Sequence, residues 1–301
     1  MQLNKKFMCD GLFKLNVCTP LSSEQSLILN VESSSTWHAR LGHVNYNLIK
    51  RLMRLNLIRK IDIKHKERCE ICVEAKLPKQ PFKSVDRDSD ILELIHSDVC
   101  DSGRISRGGN KYFVTFIDDL SKYCFLYLIK TKDEVLNEFQ IYKAEAENQQ
   151  DKKIKILRSD RGGEYTSLAL TQFCQEHEII HEVTAPYSPQ SNGVTERKNR
   201  TLIDMVNSML INSGVPENLW GEALLTACYI LNRIPFKQND STPYEIWKKR
   251  KPNLSYLKVW GCLAKVKIPE VKKKIRLKTI DTIFIGYILN NNTDKFCSNT
   301  N

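Results

Sequence analysis

The stretch Ile91-Leu92-Glu93-Leu94-Ile95-His96-Ser97-Asp98-Val99 reads as a β-strand that ends on an acid, and the rest of the chain organises around it. Two more runs rich in Ile, Val, Phe and Tyr follow, Lys111–Asp118 and Tyr123–Ile129, and Ser106–Asn110 makes a Gly-Gly turn before the first of them. Asp133–Gln150 has helical character, Lys153–Ser159 alternates as a fourth strand, Ser167–Glu178 is a helix and Ile179–Thr184 a fifth strand. Helices are expected near Val194–Asn212 and Glu217–Asn232. Three strands, helix, strand, helix, strand, helix describe an α/β protein with a mixed five-stranded sheet flanked by helices.

Acids stand at the ends of two of these strands, Asp98 on the first and Asp160 on the fourth. Strands that lie side by side would place both carboxylates at one region of the sheet. A third acid, Glu196, follows the turn-rich run from Pro186 to Gly193, which places it in the first turn of the next helix, where the helix dipole favours a negative charge. Oxygen ligands from three separate elements suit a hard cation such as Mg²⁺ or Mn²⁺, and such ions in pairs serve phosphodiester chemistry. Spacing alone is weak support among 35 acidic residues. Asp118 and Asp119 read first as turn formers, and Glu164 as a loop charge. Leu202, Met205, Val206 and Met209 are expected to pack on the sheet from the helix face opposite Glu196.

Working toward the N-terminus, Pro78–Asp90 is polar and contains two prolines, so it is a linker candidate. Residues 36–60 carry a helical period through Leu41, Leu48, Ile49, Leu52, Leu55 and Ile58. His38, His43, Cys69 and Cys72 offer two imidazoles and two thiolates, the closed donor set of one structural Zn²⁺. The two histidines are five apart, about 140° round an ideal helix. His38 is therefore expected at or before the helix start and His43 at an irregular point near Gly42. Before them, Phe7–Leu15 and Ser26–Val31 look strand-like.

Charge is unevenly spread over the 301 residues. The chain carries a net +11, of which +10 lies in residues 248–301 with 13 Lys/Arg, so the first 247 are almost balanced. Lys248–Lys251 and Lys272–Arg276 are dense basic runs, suited to DNA phosphate or to a nuclear-import signal. The ten cysteines show no disulfide framework. No 18-residue apolar run or signal-peptide pattern occurs, so an intracellular protein without a membrane partner is expected.

Several segments carry a family likeness: His96–Cys100 (HSDVC), Tyr112–Asp119 (YFVTFIDD), Ser159–Tyr165 (SDRGGEY) and Tyr187–Leu202 (YSPQSNGVTERKNRTL). To these add Leu219–Pro235, Thr242–Trp247 (TPYEIW), Phe284–Tyr287 (FIGY) and the Trp37–His43 run WHARLGH. Together they resemble the integrase of copia-type LTR retrotransposons with its pre-integrase zinc region, across nearly the whole chain. The resemblance implies an RNase H-like core, with Asp98, Asp160 and Glu196 as catalytic ligands of two Mg²⁺. The domains expected are an N-terminal segment (1–30), a small helical zinc-binding domain (31–85), the catalytic core with trailing helices (86–247) and a basic β-containing tail (248–301).

The activity expected is joining of the 3′-OH ends of element DNA to target DNA, by a dimer or tetramer acting in the nucleus, with cytoplasmic particles as a second location. Gln190, Asn192, Arg197, Lys198 and Arg200, with Lys272, Lys273 and Lys274, are the candidate DNA contacts. A second reading is a catalytically inactive or repurposed DNA-binding relic of such an element. It rests on the lack of protease or reverse-transcriptase segments and on Asp101-Ser102 standing where that family commonly has Gly-Pro. A third, an RNA–DNA hybrid nuclease, would leave the His/Cys set unexplained.

Overall fold

The computed structural model describes residues 6–9, 12–15, 33–63, 69–75, 89–184, 189–236, 240–267, 279–288 and 293–298. They fall into two compact units. One is drawn from Leu77–Asp204 and Cys228–Pro252, the other from Met1–Lys76, Met205–Ala227 and Asn253–Asn301.

The first of these units is built on β3 (Leu94–Asp101), β4 (Tyr112–Asp118), β5 (Cys124–Ile129), β6 (Ile156–Ser159) and β7 (Ile180–Val183). Their order across the sheet is β5-β4-β3-β6-β7. The first three pair antiparallel, while β6 and β7 run parallel to β3. Parallel strands need a crossover connection. Helix α4 (Val135–Gln150) supplies it between β5 and β6, and α5 (Leu168–Glu176) between β6 and β7.

Helix α4 buries Val135, Phe139, Tyr142 and Ala146. Tyr142 stacks on Phe116 of β4 with centroids 4.7 Å apart, and Trp247 stacks on Tyr123 at 5.2 Å. Ile95, Leu157 and Leu170 complete that core. The β5 edge is closed by a side chain: Asn232 accepts from the Cys124 N–H (2.9 Å) and donates to its carbonyl (2.8 Å).

Strand β3 starts three residues later than the apolar run does. Ile91–Glu93 form a turn with Leu92 at φ +63°, and the Leu92 N–H donates to Asp118 (2.8 Å). Asp118 also accepts from the Ser121 backbone and hydroxyl, and Asp119 bonds His96 (2.9 Å) and Lys122 (2.7 Å). Both acids are therefore held in structural contacts, as turn formers would be.

In the other unit, β1 (Lys6–Cys9) and β2 (Leu12–Leu15) form an antiparallel hairpin. The Ser26–Val31 strand expected from sequence lies outside the described residues, as does most of the expected linker. The helical run expected over 36–60 is broken into α1 (Ser34–Arg40) and α2 (Tyr46–Arg54), because Gly42 (φ +64°) and His43 (φ +61°) turn the chain between them. A short α3 (Glu70–Ala75) follows.

Near the C-terminus β8 (Leu263–Lys267), β9 (Thr279–Ile288) and β10 (Thr293–Ser298) make an antiparallel sheet with β9 central.

Between these stretches lie α6 (Pro189–Ser213), α7 (Trp220–Asn232) and α8 (Pro243–Lys248). Helix α6 begins five residues before the sequence expectation. Proline is well suited to a first helical turn, and the Asn192-Gly193 pair that reads as a turn is absorbed into the helix.

Candidate catalytic and metal-binding sites

The His/Cys set assembles at the junction of α1, the turn after it and α3. One donor atom from each of His38, His43, Cys69 and Cys72 lies within 4.8 Å of all the others. His38 Nε2 is 3.1 Å from Cys72 Sγ, and His43 Nδ1 is 3.4 Å from Cys69 Sγ and 3.7 Å from Cys72 Sγ. Zn–N and Zn–S bonds of about 2.0 and 2.3 Å give tetrahedral ligand separations of roughly 3.3–3.8 Å, so these distances fit a zinc ion. Two nitrogens and two sulfurs fill that shell and leave no open position, the mark of a structural site.

The histidine placement differs in part from the sequence expectation. His38 sits within α1 rather than at or before its start, while His43 occupies the irregular point beside Gly42. The positive φ values at Gly42 and His43 resolve the 140° problem by swinging the second ring back toward the first; their centroids are 4.7 Å apart. His38 Nδ1 is 2.7 Å from the Val44 carbonyl, which fixes its proton there and leaves the Nε2 lone pair for a metal shared with the cysteine sulfurs. The ring also stacks on Tyr46 at 4.6 Å. Met205 and Met209, expected against the sheet, close over Gly42 instead, and a Cβ on Gly42 would meet Met205 Cε at 2.8 Å.

The acids belong to the sheet unit. β3 and β6 pair in parallel with Leu94 opposite Ile156 and His96 opposite Arg158. Two residues further along the same register come Asp98 and Asp160, so adjacency of the strands sets the two carboxylates side by side. Asp98 is pushed up to about 6: burial is the main cause, then the Asp160 carboxylate, with Glu196 adding a smaller repulsion. Glu196 thus contributes to the same field from α6. It stands in the third turn of that helix, not the first, so the dipole contributes nothing to it.

The three carboxylates are not drawn as tight as the His/Cys donors; among the described residues only the latter meet the 4.8 Å spacing. Carboxylates that hold separate ions about 3.5–4 Å apart need not touch. Their mutual repulsion is what bound cations would relieve.

Sequence reasoning missed Asn199. Its side chain is 3% exposed and donates to Asp98 Oδ2 (2.9 Å), while its own carbonyl accepts from Thr115 Oγ1 (3.1 Å). The only signal available was its position three residues after Glu196, on the adjoining helix face. Ser97 and the buried Tyr165 share a 2.6 Å hydrogen bond behind the acids. Asp160 accepts from the Gly162 N–H (2.9 Å). Glu164 pairs with Lys132 (3.2 Å) and lies so close over Gly162 that a Cβ there would meet its carboxylate at 2.6 Å. Burial, with the Asp98 charge beside it, raises the Cys100 thiol to about 12, which leaves it protonated and inert.

The Asp101-Ser102 turn closes fully. Asp101 accepts from the Gly103 N–H (2.7 Å) and the Ser102 hydroxyl donates to the Lys111 carbonyl (2.7 Å).

The candidate DNA contacts divide. Glu196, Arg197 and Arg200 are exposed, and Arg197 donates back to the Gly193 carbonyl (2.6 Å). Lys198 is a correction: its ammonium turns inward and donates to the Lys122 carbonyl (3.1 Å), and burial lowers its pKa. It follows the buried Thr195 and precedes Asn199, so the helix period carries it away from solvent. The side chains of Gln190 and Asn192, and Lys272–Lys274 altogether, lie outside the described residues.

A mixed sheet with acids on adjacent central strands and a third on a following helix is an arrangement that can hold divalent cations for phosphodiester chemistry. Residues 91–189 match the family model of the integrase core domain, and residues 11–77 that of the GAG-pre-integrase domain. The chain is 43% identical over 259 residues to the retrovirus-related Pol polyprotein from transposon TNT 1-94 of Nicotiana tabacum, covering 85% of this chain and 20% of that one. It is 32% identical over 279 residues to the corresponding polyprotein from transposon RE2 of Arabidopsis thaliana, covering 90% and 19%. Among solved structures, the HTLV-2 integrase catalytic core domain in complex with magnesium is similar at 18% identity and a TM-score of 0.41, over 52% of this chain and 95% of that one.

The chain carries the integrase core and GAG-pre-integrase domains of copia-type retrovirus-related Pol polyproteins. It spans about a fifth of the length of the relatives it matches.

Proposed function

We propose that this chain joins 3′-OH ends of element DNA to target DNA by transesterification, using Asp98, Asp160 and Glu196 as ligands for two Mg²⁺ or Mn²⁺ ions. The observation that carries it is the parallel β3–β6 register, which brings Asp98 beside Asp160, with Glu196 near enough to add to the repulsion on the half-buried Asp98 carboxylate. Bound magnesium would activate the attacking hydroxyl and offset charge on the leaving oxygen. Asp98, Asp160 and Glu196 would together hold the ions, Asp98 being the acid repelled by both of the others. Asn199 holds Asp98 in a fixed rotamer, and the Ser97–Tyr165 pair braces the strand beneath it.

The closed turn at Asp101-Ser102 favours an active enzyme over a decayed one, since the departure from the family's Gly-Pro leaves the strand end intact. His38, His43, Cys69 and Cys72 would hold one structural zinc. Arg200, exposed on the Glu196 side of α6, would meet DNA phosphate. Joining two DNA ends calls for two active sites and hence a symmetric dimer or tetramer. The basic runs suit a nuclear protein. Among the described residues no helix is long and apolar enough to cross a membrane.

The test is strand transfer by wild type and Asp160→Asn on short duplexes with matched ends in Mg²⁺. Loss of joining in the variant is expected; undiminished joining refutes the assignment.

A further inference from the structure

Each strand-end acid follows a serine: Ser97 precedes Asp98 on β3, and Ser159, the last residue of β6, precedes Asp160. Side chains alternate across a strand, so the serines face away from the side that the acids take. Ile95 opposes Leu157 in the β3–β6 register, and both belong to the core. Two residues on, Ser97 and Ser159 enter that same core, each at 0% exposure. A buried hydroxyl is costly unless it is hydrogen-bonded, and each of these is met by a side chain from another segment. Ser97 shares its 2.6 Å bond with Tyr165, and Ser159 Oγ lies 2.9 Å from His181 Nε2 on β7. The Tyr165 and His181 rings are 6.4 Å apart, so the two pairs make one polar layer behind the acids.

The Ser159 pair reaches an acid through the backbone. Ser159 Oγ also donates to the Asp160 carbonyl at 2.9 Å. A serine hydroxyl has one hydrogen and two acceptor lone pairs. With that hydrogen on the Asp160 carbonyl, the His181 Nε2–H is the donor to Ser159. Holding the carbonyl fixes ψ at Asp160, and the β6 pairing holds the residue before it, so the direction of the Asp160 Cα–Cβ bond is set. His181 is itself placed by the sheet: it opposes Leu157 in the β6–β7 register, on the face that Leu157 shares with Ser159. The Thr184 N–H, donating to the Ser159 carbonyl (3.0 Å), ties the two strand ends together.

We propose that His181 is a positioning residue for metal binding at the strand-end acids: through Ser159 it holds the Asp160 backbone, and with it the carboxylate, at the spacing from Asp98 that a pair of divalent ions requires. The inference rests on the two-metal reading and adds to it a residue that acts from the opposite face of the sheet. Asp98 and Asp160 repel one another until cations arrive, so a loosely held Asp160 would swing away and the ions would have to draw it back. A second layer of hydrogen bonds that orients the ligands beforehand removes that cost from metal binding.

The experiment measures Mn²⁺ binding to the full zinc-loaded chain without DNA, from the electron paramagnetic resonance signal of unbound Mn²⁺, beside strand joining over a Mn²⁺ series. His181→Phe fills the space of the ring and removes the donor, His181→Gln places an amide N–H where Nε2–H stood, and Ser159→Ala removes the middle of the relay. His181→Phe and Ser159→Ala should each weaken Mn²⁺ binding about tenfold, and His181→Gln should restore most of the affinity. Joining by the two weakened variants should fall at low Mn²⁺, recover at saturating Mn²⁺ and keep the wild-type KM for DNA. The double variant Ser159→Ala/His181→Phe should bind Mn²⁺ no more weakly than Ser159→Ala alone, since both changes cut one path.

Wild-type Mn²⁺ affinity in His181→Phe overturns the relay, and so does a His181→Gln chain as weak as His181→Phe, which would reduce His181 to a packing role. If His181→Phe does not fold, Ser159→Ala decides in the same way: wild-type Mn²⁺ affinity there overturns the relay. A wild type that binds Mn²⁺, with the expected loss and rescue among the variants, yet joins no DNA, supports the relay and defeats the integrase reading. A wild type that binds no Mn²⁺ overturns both.

Discussion

Replacing Asp98 by Asn should stabilise the metal-free protein while abolishing joining. The structure raises the Asp98 carboxyl from an ordinary 3.8 to about 6, through burial and the charges of Asp160 and Glu196. At about 1.4 kcal/mol per pKa unit the charged form costs at most about 3 kcal/mol, and discounting for partial solvent access leaves about 1–2 kcal/mol. Because the folded-state pKa lies above the unfolded one, this contribution to stability is present below about pH 4 and lost as pH rises through 6.

Asn is nearly isosteric, keeps an oxygen for the Asn199 amide, and carries no charge. In EDTA at pH 7.5 the variant should therefore melt roughly 2–8 °C above wild type, and the gap should close by pH 5, where wild-type Asp98 is itself protonated. Added Mg²⁺ should raise the wild-type melting temperature and not that of the variant. Calorimetry or dye-monitored melting reads all of this. A variant that melts at or below the wild type in EDTA at pH 7.5, or whose advantage is the same at pH 5, refutes the claim that uncompensated acidic charge is stored at this site.

The remaining predictions concern the supports of the two sites. Cys72→Ser, or a strong chelator on wild type, should remove the zinc and red-shift tryptophan emission as Trp37, 2% exposed in α1, is released to water; bound zinc measured near one per chain in the variant contradicts this. Gly42→Ala should cost about 1–2 kcal/mol, because a side chain at φ +64° is strained before Met205 yields; urea melts check it. Asn199→Ala should lower kcat for joining about tenfold or more with little change in DNA affinity, since the amide orients Asp98 and is buried from DNA, and the Mg²⁺ concentration needed for half-maximal rate should rise. An Asn199→Ala enzyme with wild-type metal dependence counts against that positioning role.

Much of the fold was legible in the chain. The alternating apolar runs around Asp98, Tyr112 and Tyr123 mark their strands because a half-buried strand repeats every two residues, a local property. Element edges were less legible where local preference conflicts with context. Ile91 and Leu92 look like strand, yet the Asp118 carboxylate captures the Leu92 N–H and ends the pairing early. Pro186–Gly193 looks like turn, yet α6 starts at Pro189, which moves Glu196 from the first turn to the third. Lys198 looks like any exposed lysine in a run of charges, and only the helix phase relative to Thr195 and Asn199 turns it inward.

By itself the sequence determined which residues can do chemistry: the two strand-end acids, the acid after the turn-rich run, and the paired histidines and cysteines. Donor type is a property of the side chain and needs no fold to be read. Tertiary structure alone decided which of them meet. The parallel register of β3 with β6 sets Asp98 beside Asp160, although they are far apart in the chain. Two consecutive positive φ angles carry His43 round to His38, and the inward amide of Asn199 locks Asp98. Proximity between distant residues comes from strand register and close packing, which no local window of sequence contains.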